Sequence, residues 1–311
     1  MDADLDTLAT SLYVTTDDLL LARPERVPAR PRVGIAPRIS DAELLTLATM
    51  QALMGYPSET RWLRYARKHL RGLFPYVPGQ SGYNKRLRKL AATMAWLVAE
   101  LGAQTSIAGD DVWLVDSTPV ECGRSRETQK RSDLAGWAEY GYCASHSRFF
   151  WGLRLHLVTT VHGLPLAWAL TGAKADERQV LEHLLETTSA LRRARERSRA
   201  RSGRRPIVIG DKNYFGRAFE AGIAAAGIEL LRPARKNEKP RAGQQFFKPL
   251  RQVIESVFDT FKGQLDLERH GGKTPAGVCA RVAQRVLALT AAIWHNDKLG
   301  LTRRSLTAYD H

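Results

Sequence analysis

The sequence predicts an α/β protein, in which a mixed five-stranded sheet with helices follows a small all-α domain. Three observations lead to this prediction. Apolar residues recur at helical spacing before residue 105. After it, short runs rich in β-branched and aromatic residues alternate with helical segments. Prolines between residues 23 and 39 separate these parts from an N-terminal amphipathic segment.

Up to residue 104 the pattern is helical. Ser40 is followed three residues later by Glu43, the capping-box pattern that starts a helix. Two more helices are predicted, one starting at Pro57 and one spanning residues 84–101. The predicted domains are a short N-terminal helix at 1–22, a proline-rich linker at 23–39, the helical domain at 40–104 and the sheet domain at 105–300.

From residue 105 onward, strands and helices alternate. DVWLVD is predicted as a strand that ends at Asp116, and PIVIGD as a later strand that ends at Asp211. Asp176, with Gln179 three residues later, indicates the start of a helix that runs to about Arg195. The order β-β-β-α-β-α-β-α is that of the RNase H-like fold, in which three antiparallel strands are followed by parallel ones.

The charge of the chain favours a polyanionic partner. Lysine and arginine number 47 against 32 acidic residues, so the net charge is +15. Such a surplus is typical of proteins that bind nucleic acid or an anionic membrane. The most apolar window, residues 151–170, is interrupted by Arg154 and two histidines, which excludes a membrane span there. Nucleic acid is therefore the expected partner and no membrane association is expected; an inert basic surface is the alternative.

The cysteines and the N-terminus indicate the compartment. Cys122, Cys143 and Cys279 are far apart and form no CxxC pair, which argues against a zinc site or a disulfide framework. The acidic N-terminus lacks the basic and apolar regions of a secretory signal. These features are typical of a cytoplasmic protein.

Two aspartates and a glutamate are the candidate metal ligands. Mg²⁺ prefers carboxylate oxygens, and Asp116 and Asp211 each follow an apolar strand. Glu255 lies on a predicted helix over 249–262, where stepping by 100° per residue places Arg251, Glu255 and Lys262 within about 40° of each other. Each acid also has a structural alternative: a turn or cap for the aspartates, and an i,i+4 ion pair with Arg251 for the glutamate.

The segment RQVIESVFDTFK makes a family resemblance specific. Its Arg-x3-Glu-x6-Lys pattern matches part of the Tyr-Arg-Glu-Lys signature of DDE transposases from bacterial insertion sequences. VDSTPVECGRSR and FFWGLRLHLVTTVHGLPLAWALTGAKADE resemble the matching blocks of the nine-eighty-two family, so the resemblance covers about residues 40–295. It implies a catalytic and metal-binding triad of Asp116, Asp211 and Glu255. Arg251 and Lys262 are implied near the phosphates, and Lys248, which occupies the position of the signature tyrosine, is a further candidate phosphate or DNA contact.

The resemblance also implies an activity. It predicts a bacterial enzyme that binds the terminal repeats of an insertion sequence, cleaves DNA there and joins the 3′-hydroxyl ends to target DNA. Two Mg²⁺ ions, with Mn²⁺ as a substitute, and a homodimer that holds both ends are expected with it. The alternatives are an RNase H-like endonuclease or resolvase without strand transfer, and a DNA-binding protein with an inactive catalytic domain.

Basic helices between residues 56 and 90 are the predicted readers of the transposon ends. Cations with interleaved aromatic side chains suit contact with phosphates and grooves, although a solvated basic face is the alternative. The arginine run at 191–205 and the loop at 235–241 are further candidate DNA contacts. The predicted DNA-binding residues of the helices are Arg61, Arg64, Arg67, Lys68, Lys85, Arg86 and Arg88.

Overall fold

The protein is described from a computed structural model. Contacts divide the chain into two compact units, one formed by residues 1–101 and 261–311 and the other by residues 102–260. Part of the predicted linker, residues 30–35, lies outside the described residues, as does Phe246 beside the position of the signature tyrosine. The structure describes residues 4–29, 36–143, 147–241, 243 and 247–309.

The first unit is helical, as predicted for the N-terminal part. The predicted capping box is present: the Glu43 N–H donates to Ser40 Oγ at 3.0 Å, and the Ser40 N–H donates to Glu43 Oε2 at 2.6 Å. The helix predicted over 84–101 is instead two helices that meet at Leu90. The N-terminal helices are α1 (Leu5–Ala22), α2 (Asp41–Leu53), α3 (Glu59–His69), α4 (Gln80–Lys89) and α5 (Ala91–Ala103).

The last helix, α11 (Pro275–Leu299), is the core of this unit. It begins at the N-cap Thr274 and ends at the left-handed Gly300. Its length and composition would suffice to cross a membrane, but 83% of its most apolar window is buried inside the structure. Apolar residues on all its sides pack against α1, α2 and α4. The division therefore differs from the predicted boundary, which placed this helix in the sheet domain and α1 by itself.

The second unit contains the predicted mixed sheet. The first strand, β1 (Val112–Gly123), pairs antiparallel with β3 (Arg148–Thr160) and parallel with β5 (Ile207–Ile209). Strand β5 in turn pairs parallel with β6 (Glu229–Leu231). Five strands were predicted; the additional strand, Glu139–Cys143, is a short edge strand whose central Gly141 weakens the strand pattern. The strands are β1 (Val112–Gly123), β2 (Glu139–Cys143), β3 (Arg148–Thr160), β4 (Pro165–Gly172), β5 (Ile207–Ile209) and β6 (Glu229–Leu231).

Helices cover the sheet of the second unit. The helix predicted from Asp176 to Arg195 is interrupted at Thr188, whose extended backbone ends one helix and begins the next. The arginine run at 191–205 forms much of the second of these helices. These helices are α6 (Arg126–Arg131), α7 (Glu177–Thr187), α8 (Ser189–Ser202), α9 (Arg217–Ala225) and α10 (Phe247–Asp259).

Candidate active site

Asp116 lies inside β1 rather than at its end. The strand continues to Gly123, because its second half pairs with β3. Pairing with the parallel strand β5 stops at Leu114, opposite Ile209. Asp116 is therefore two residues past the point where β1 and β5 separate, which is where ligands bind in sheets with parallel strands.

Asp211 follows the parallel neighbour β5 by two residues, whereas the strand was predicted to end at Asp211 itself. Both of its carboxylate oxygens accept hydrogen bonds from Asn213, one from the backbone at 2.7 Å and one from the side-chain amide at 3.0 Å. The same turn leads to Tyr214, whose side chain is fully buried. A Cβ atom on Gly210 would lie 2.7 Å from the Tyr214 ring, so this close approach requires glycine.

The two aspartates belong to one acidic cluster. Burial raises the pKa of Asp116 to about 7, against the opposing effect of the Ser117 N–H, which donates to it at 2.8 Å. The charges of Asp211 and Glu177 raise this pKa further, while Arg251 lowers it. We call Asp116, Glu177 and Asp211 the acid cluster. Like charges held together in this way are typical of metal-binding and catalytic sites.

The sequence did not single out Glu177. It is the first residue of α7, where an acidic side chain ordinarily complements the helix dipole. Here its carboxylate accepts a hydrogen bond from Ser117 Oγ at 2.5 Å and one from Arg154 Nη1 at 3.1 Å. Its neighbour Asp176, the competing acid, caps the helix as predicted and pairs with Arg178 at 2.5 Å.

Tyr214 places an unpaired hydroxyl beside the cluster. Its side chain is fully buried, and the hydroxyl has no hydrogen-bond partner among the described residues. Burial, followed by the charges of Glu177, Asp116 and Asp211, raises the pKa of Tyr214 well above its ordinary value. The hydroxyl therefore stays protonated at neutral pH and is a donor without a partner.

Helix α10 presents Glu255 as predicted. Its apolar side buries Ile254, Val257 and Phe258, and Glu255 is exposed on the other side. Arg251 Nη2 lies 3.7 Å from Glu255 Oε1, so the predicted ion pair is present. Because the Arg251 charge also acts on Asp116, this arginine connects Glu255 electrostatically to the acid cluster.

The two lysines predicted near the phosphates differ in their position relative to α10. Lys248 is exposed in the first turn of α10. Lys262 lies beyond the helix, in a π-helical turn over Thr260–Gln264. The 100° stepping that grouped Lys262 with Glu255 applies only to an α-helix, so it does not hold past Asp259.

The donor set fits a hard divalent cation. Within the described residues, no three acidic, histidine or cysteine side chains form a ready-made metal cage. The acid cluster nevertheless supplies carboxylate oxygens, the ligands of Mg²⁺ and Mn²⁺, and a cation would relieve the repulsion that raises the pKa of Asp116. Asp116 and Asp211 would hold such an ion. Glu255 would be the third ligand once its carboxylate had left the ion pair with Arg251.

Most of the predicted DNA-binding cations are exposed, but Arg86 is a structural residue. It pairs with Asp41 and donates to the Ile39 carbonyl at 2.8 Å. Trp62 and Tyr83, two of the aromatic residues interleaved with these cations, are fully buried in the core. The exposed members of the predicted set are Arg61, Arg64, Arg67, Lys68, Lys85 and Arg88.

Two cations of the loop at 235–241 are held within the second unit. Arg241 pairs with Glu220 at 3.0 Å, and the Arg235 guanidinium stacks on the Phe215 ring at 3.6 Å. His156 in β3 is a buried histidine. Its Nε2 contacts Thr171 Oγ1 at 2.8 Å, and burial lowers its pKa to about 4.

Comparison with known proteins identifies the family. The family model described as "Transposase DDE domain" matches residues 107–291. The structure of the catalytic domain of Mos1 mariner transposase is 13% identical, covering 73% of this chain and 98% of that one, with a TM-score of 0.26. The Mos1 mariner paired end complex with Mn is also 13% identical, covering 95% and 96% of the two chains, with a TM-score of 0.28. No curated protein matches significantly.

The family match carries the assignment by itself. It spans more than half of the chain and includes Asp116, Asp211 and Glu255. The chain is a transposase enzyme that belongs to the Transposase DDE domain family.

Proposed function

We propose that this transposase serves a bacterial insertion sequence of the nine-eighty-two family. It binds the terminal repeats, cleaves DNA there and joins the 3′-hydroxyl ends to target DNA, using two Mg²⁺ ions. The acid cluster is the observation that supports this most strongly: Asp116 and Asp211 each follow the point where β1 and β5 separate by two residues, and the charge of Arg251 acts on Asp116. It combines the oxygen donors and the partial burial that phosphoryl transfer requires.

The chain's own residues have distinct roles in this proposal. Bound divalent cations supply charge neutralisation and activation of the attacking hydroxyl. Asp116 and Asp211 hold them, with Glu255 as the third ligand. Ser117 and Arg154 fix the orientation of Glu177 through hydrogen bonds. Once Glu255 turns to a metal ion, the Arg251 guanidinium is left to bind a phosphate of the DNA.

DNA binding outside the reaction centre is proposed for the first unit. The exposed cations of α3 and α4 contact phosphates of the terminal repeats, so affinity should fall steeply with salt. Both ends of the element must be held together, and we propose a homodimer in the cytoplasm that does this. Related structures of Mos1 mariner transposase are described as paired end complexes.

Glu255→Gln tests the triad. With Mg²⁺ and end-labelled DNA carrying the element's terminal repeats, we expect wild type to nick at the ends. The variant should bind the DNA with unchanged affinity and cleave at least about 100-fold more slowly, because an amide is a weaker metal ligand. Asp259→Asn, an exposed acid on the same helix, is the matched control and should cleave normally.

Normal cleavage by Glu255→Gln would mean that this glutamate is only the ion-pair partner of Arg251. A pre-cleaved end offered with target DNA separates the two activities. Joined products support a transposase reaction, whereas hydrolysis alone would favour the alternative of an endonuclease or resolvase.

Glu177→Gln tests the acid that sequence patterns missed. It keeps the shape but weakens the hydrogen bonds to Ser117 and Arg154. We expect cleavage to fall about 10- to 100-fold, as for other groups that orient metal ligands, with a higher Mg²⁺ requirement. Glu186→Gln, exposed on the same helix, should change neither. An unaltered Mg²⁺ dependence of Glu177→Gln would restrict this residue to complementing the dipole of α7.

A further inference from the structure

One face of the β2–β3 hairpin exposes three aromatic side chains. Phe149 is 78% exposed, Tyr140 51% and Tyr142 48%. Among the described residues of the second unit, these are the exposed large apolar side chains. Tyr142 is directly opposite Phe149 in the antiparallel register, and their rings lie 5.0 Å apart. We call these three residues the aromatic platform.

The platform is held outward by the packing beneath it. Gly141, between the two tyrosines, faces inward, where a Cβ atom would lie 2.7 Å from the Phe150 ring and 2.8 Å from Ala173. Phe150 and Ala173 are buried with Cys143 on that inner face. Because side chains alternate along a strand, this anchoring leaves Tyr140 and Tyr142 in solvent. The exposure is therefore built into the hairpin.

The platform is joined to the acid cluster by one side chain. Arg154 Nη2 donates to the Tyr142 carbonyl at 3.3 Å, while its Nη1 donates to Ser117 Oγ at 2.9 Å and to Glu177. Along β3, Phe149 is eight residues from Leu157, the partner of Asp116. That separation is at most about 26 Å, or about eight nucleotides of DNA at 3.4 Å each.

The charge around the platform favours nucleic acid. In the ion pairs of the described residues, four cations around the platform pair with two carboxylates, so these pairs carry a net positive charge. This charge opposes contact with the same face of a second copy. Exposed aromatic rings beside cations form the surface on which unpaired bases stack. The ion pairs of the rim are Arg124 and Arg148 with Glu121, and Lys130 and Arg131 with Glu127.

We propose that the aromatic platform stacks unpaired bases of the DNA close to the cleavage site. The inference rests on the proposed function, since it needs DNA at the acid cluster. Ring faces bind bases of any sequence, while the rim cations contact the phosphates on either side. The platform thus holds a strand that has left the duplex within reach of Asp116.

Phe149→Ala and Phe149→Leu test the platform. Binding is measured in EDTA, so that no cleavage occurs, to a duplex with a short unpaired segment containing 2-aminopurine and to its fully paired counterpart. Both variants should weaken binding to the unpaired substrate about tenfold and lose the fluorescence quenching caused by stacking. Affinity for the paired duplex should be unchanged. Leu301→Ala, an exposed apolar residue of the first unit, should affect neither substrate.

Wild-type affinity of both Phe149 variants for the unpaired substrate would overturn the proposal. So would a fall in mass by light scattering in Phe149→Ala, because the face would then join two copies of the chain. Failure of the proposed function is a separate result: wild type in Mg²⁺ would leave terminal-repeat DNA uncut. Wild type that cuts the repeats but shows no preference for unpaired DNA refutes the platform alone.

Discussion

Asp116→Asn should abolish cleavage and at the same time stabilise the metal-free protein above neutral pH. Loss of this proposed metal ligand is expected to slow cleavage about 1000-fold, since metal charge stabilisation is worth several kcal/mol. The stability gain follows from the pKa of Asp116, which rises from 3.8 to about 7 on folding. Above pH 7 the folded state must hold this carboxylate charged, which opposes folding, and the amide removes that cost.

The pH dependence gives the sign of this effect. Folding raises the pKa, so the cost is absent below pH 3.8, grows from there to pH 7 and is complete above it. In EDTA at pH 8, Asp116→Asn should unfold several degrees above wild type, because a pKa shift from 3.8 to about 7 corresponds to a gain of up to about 4 kcal/mol. At pH 4 most of the gain should vanish.

Asp133→Asn, an exposed aspartate of the same unit, should show neither effect. Mg²⁺ should stabilise wild type but not Asp116→Asn, because a cation that binds only the folded state shifts the unfolding equilibrium. Equal melting temperatures of variant and wild type at pH 8 would show that Asp116 is not held charged among like charges.

Arg281→Met should destabilise the first unit more than any surface substitution. Arg281 and Glu59 form an ion pair whose side chains are 9% and 7% exposed. Removing the guanidinium leaves the Glu59 carboxylate buried with only amide donors, from Gln80 at 2.8 Å and Asn84 at 2.7 Å. Breaking such a pair costs about 3 to 5 kcal/mol. Urea unfolding should show this loss as a lower midpoint.

The double variant Glu59→Gln/Arg281→Met provides the control. It removes both charges, so most of the lost stability should return. If the double variant is instead as unstable as the sum of the single ones, the two residues do not act as a pair, and packing of the Arg281 chain would explain the loss.

The features that were predicted correctly from the sequence are those set by interactions between residues close together in the chain. Strand periodicity gave five strands and their antiparallel-then-parallel order, and the 3.6-residue period placed Glu255 opposite the buried side of α10. The Ser40 and Asp176 caps depend on bonds within three residues, and both are present. These features needed no knowledge of the rest of the chain.

The missed features depend on contacts far apart in sequence. In the sequence, Glu177 has the features of an ordinary acidic residue in the first turn of a helix. Its hydrogen bond from Ser117, sixty residues away, is visible only in the structure. Arg86 belongs to a basic run, yet Asp41 holds it in place. The extent of β1 past Asp116 is set by its partner β3. Composition and spacing contain no information on which of these partners the fold brings together.

The return of α11 to the first unit has a consequence for synthesis of the protein. The second unit is continuous, so it can fold as soon as residue 260 has left the ribosome. The first unit must wait for its central helix α11, which follows the second unit in the chain. A product that stops early therefore retains Asp116, Asp211 and Glu255 but lacks the core around which α1, α2 and α4 assemble. Synthesis of α11 is thus required before the unit with the basic helices can assemble.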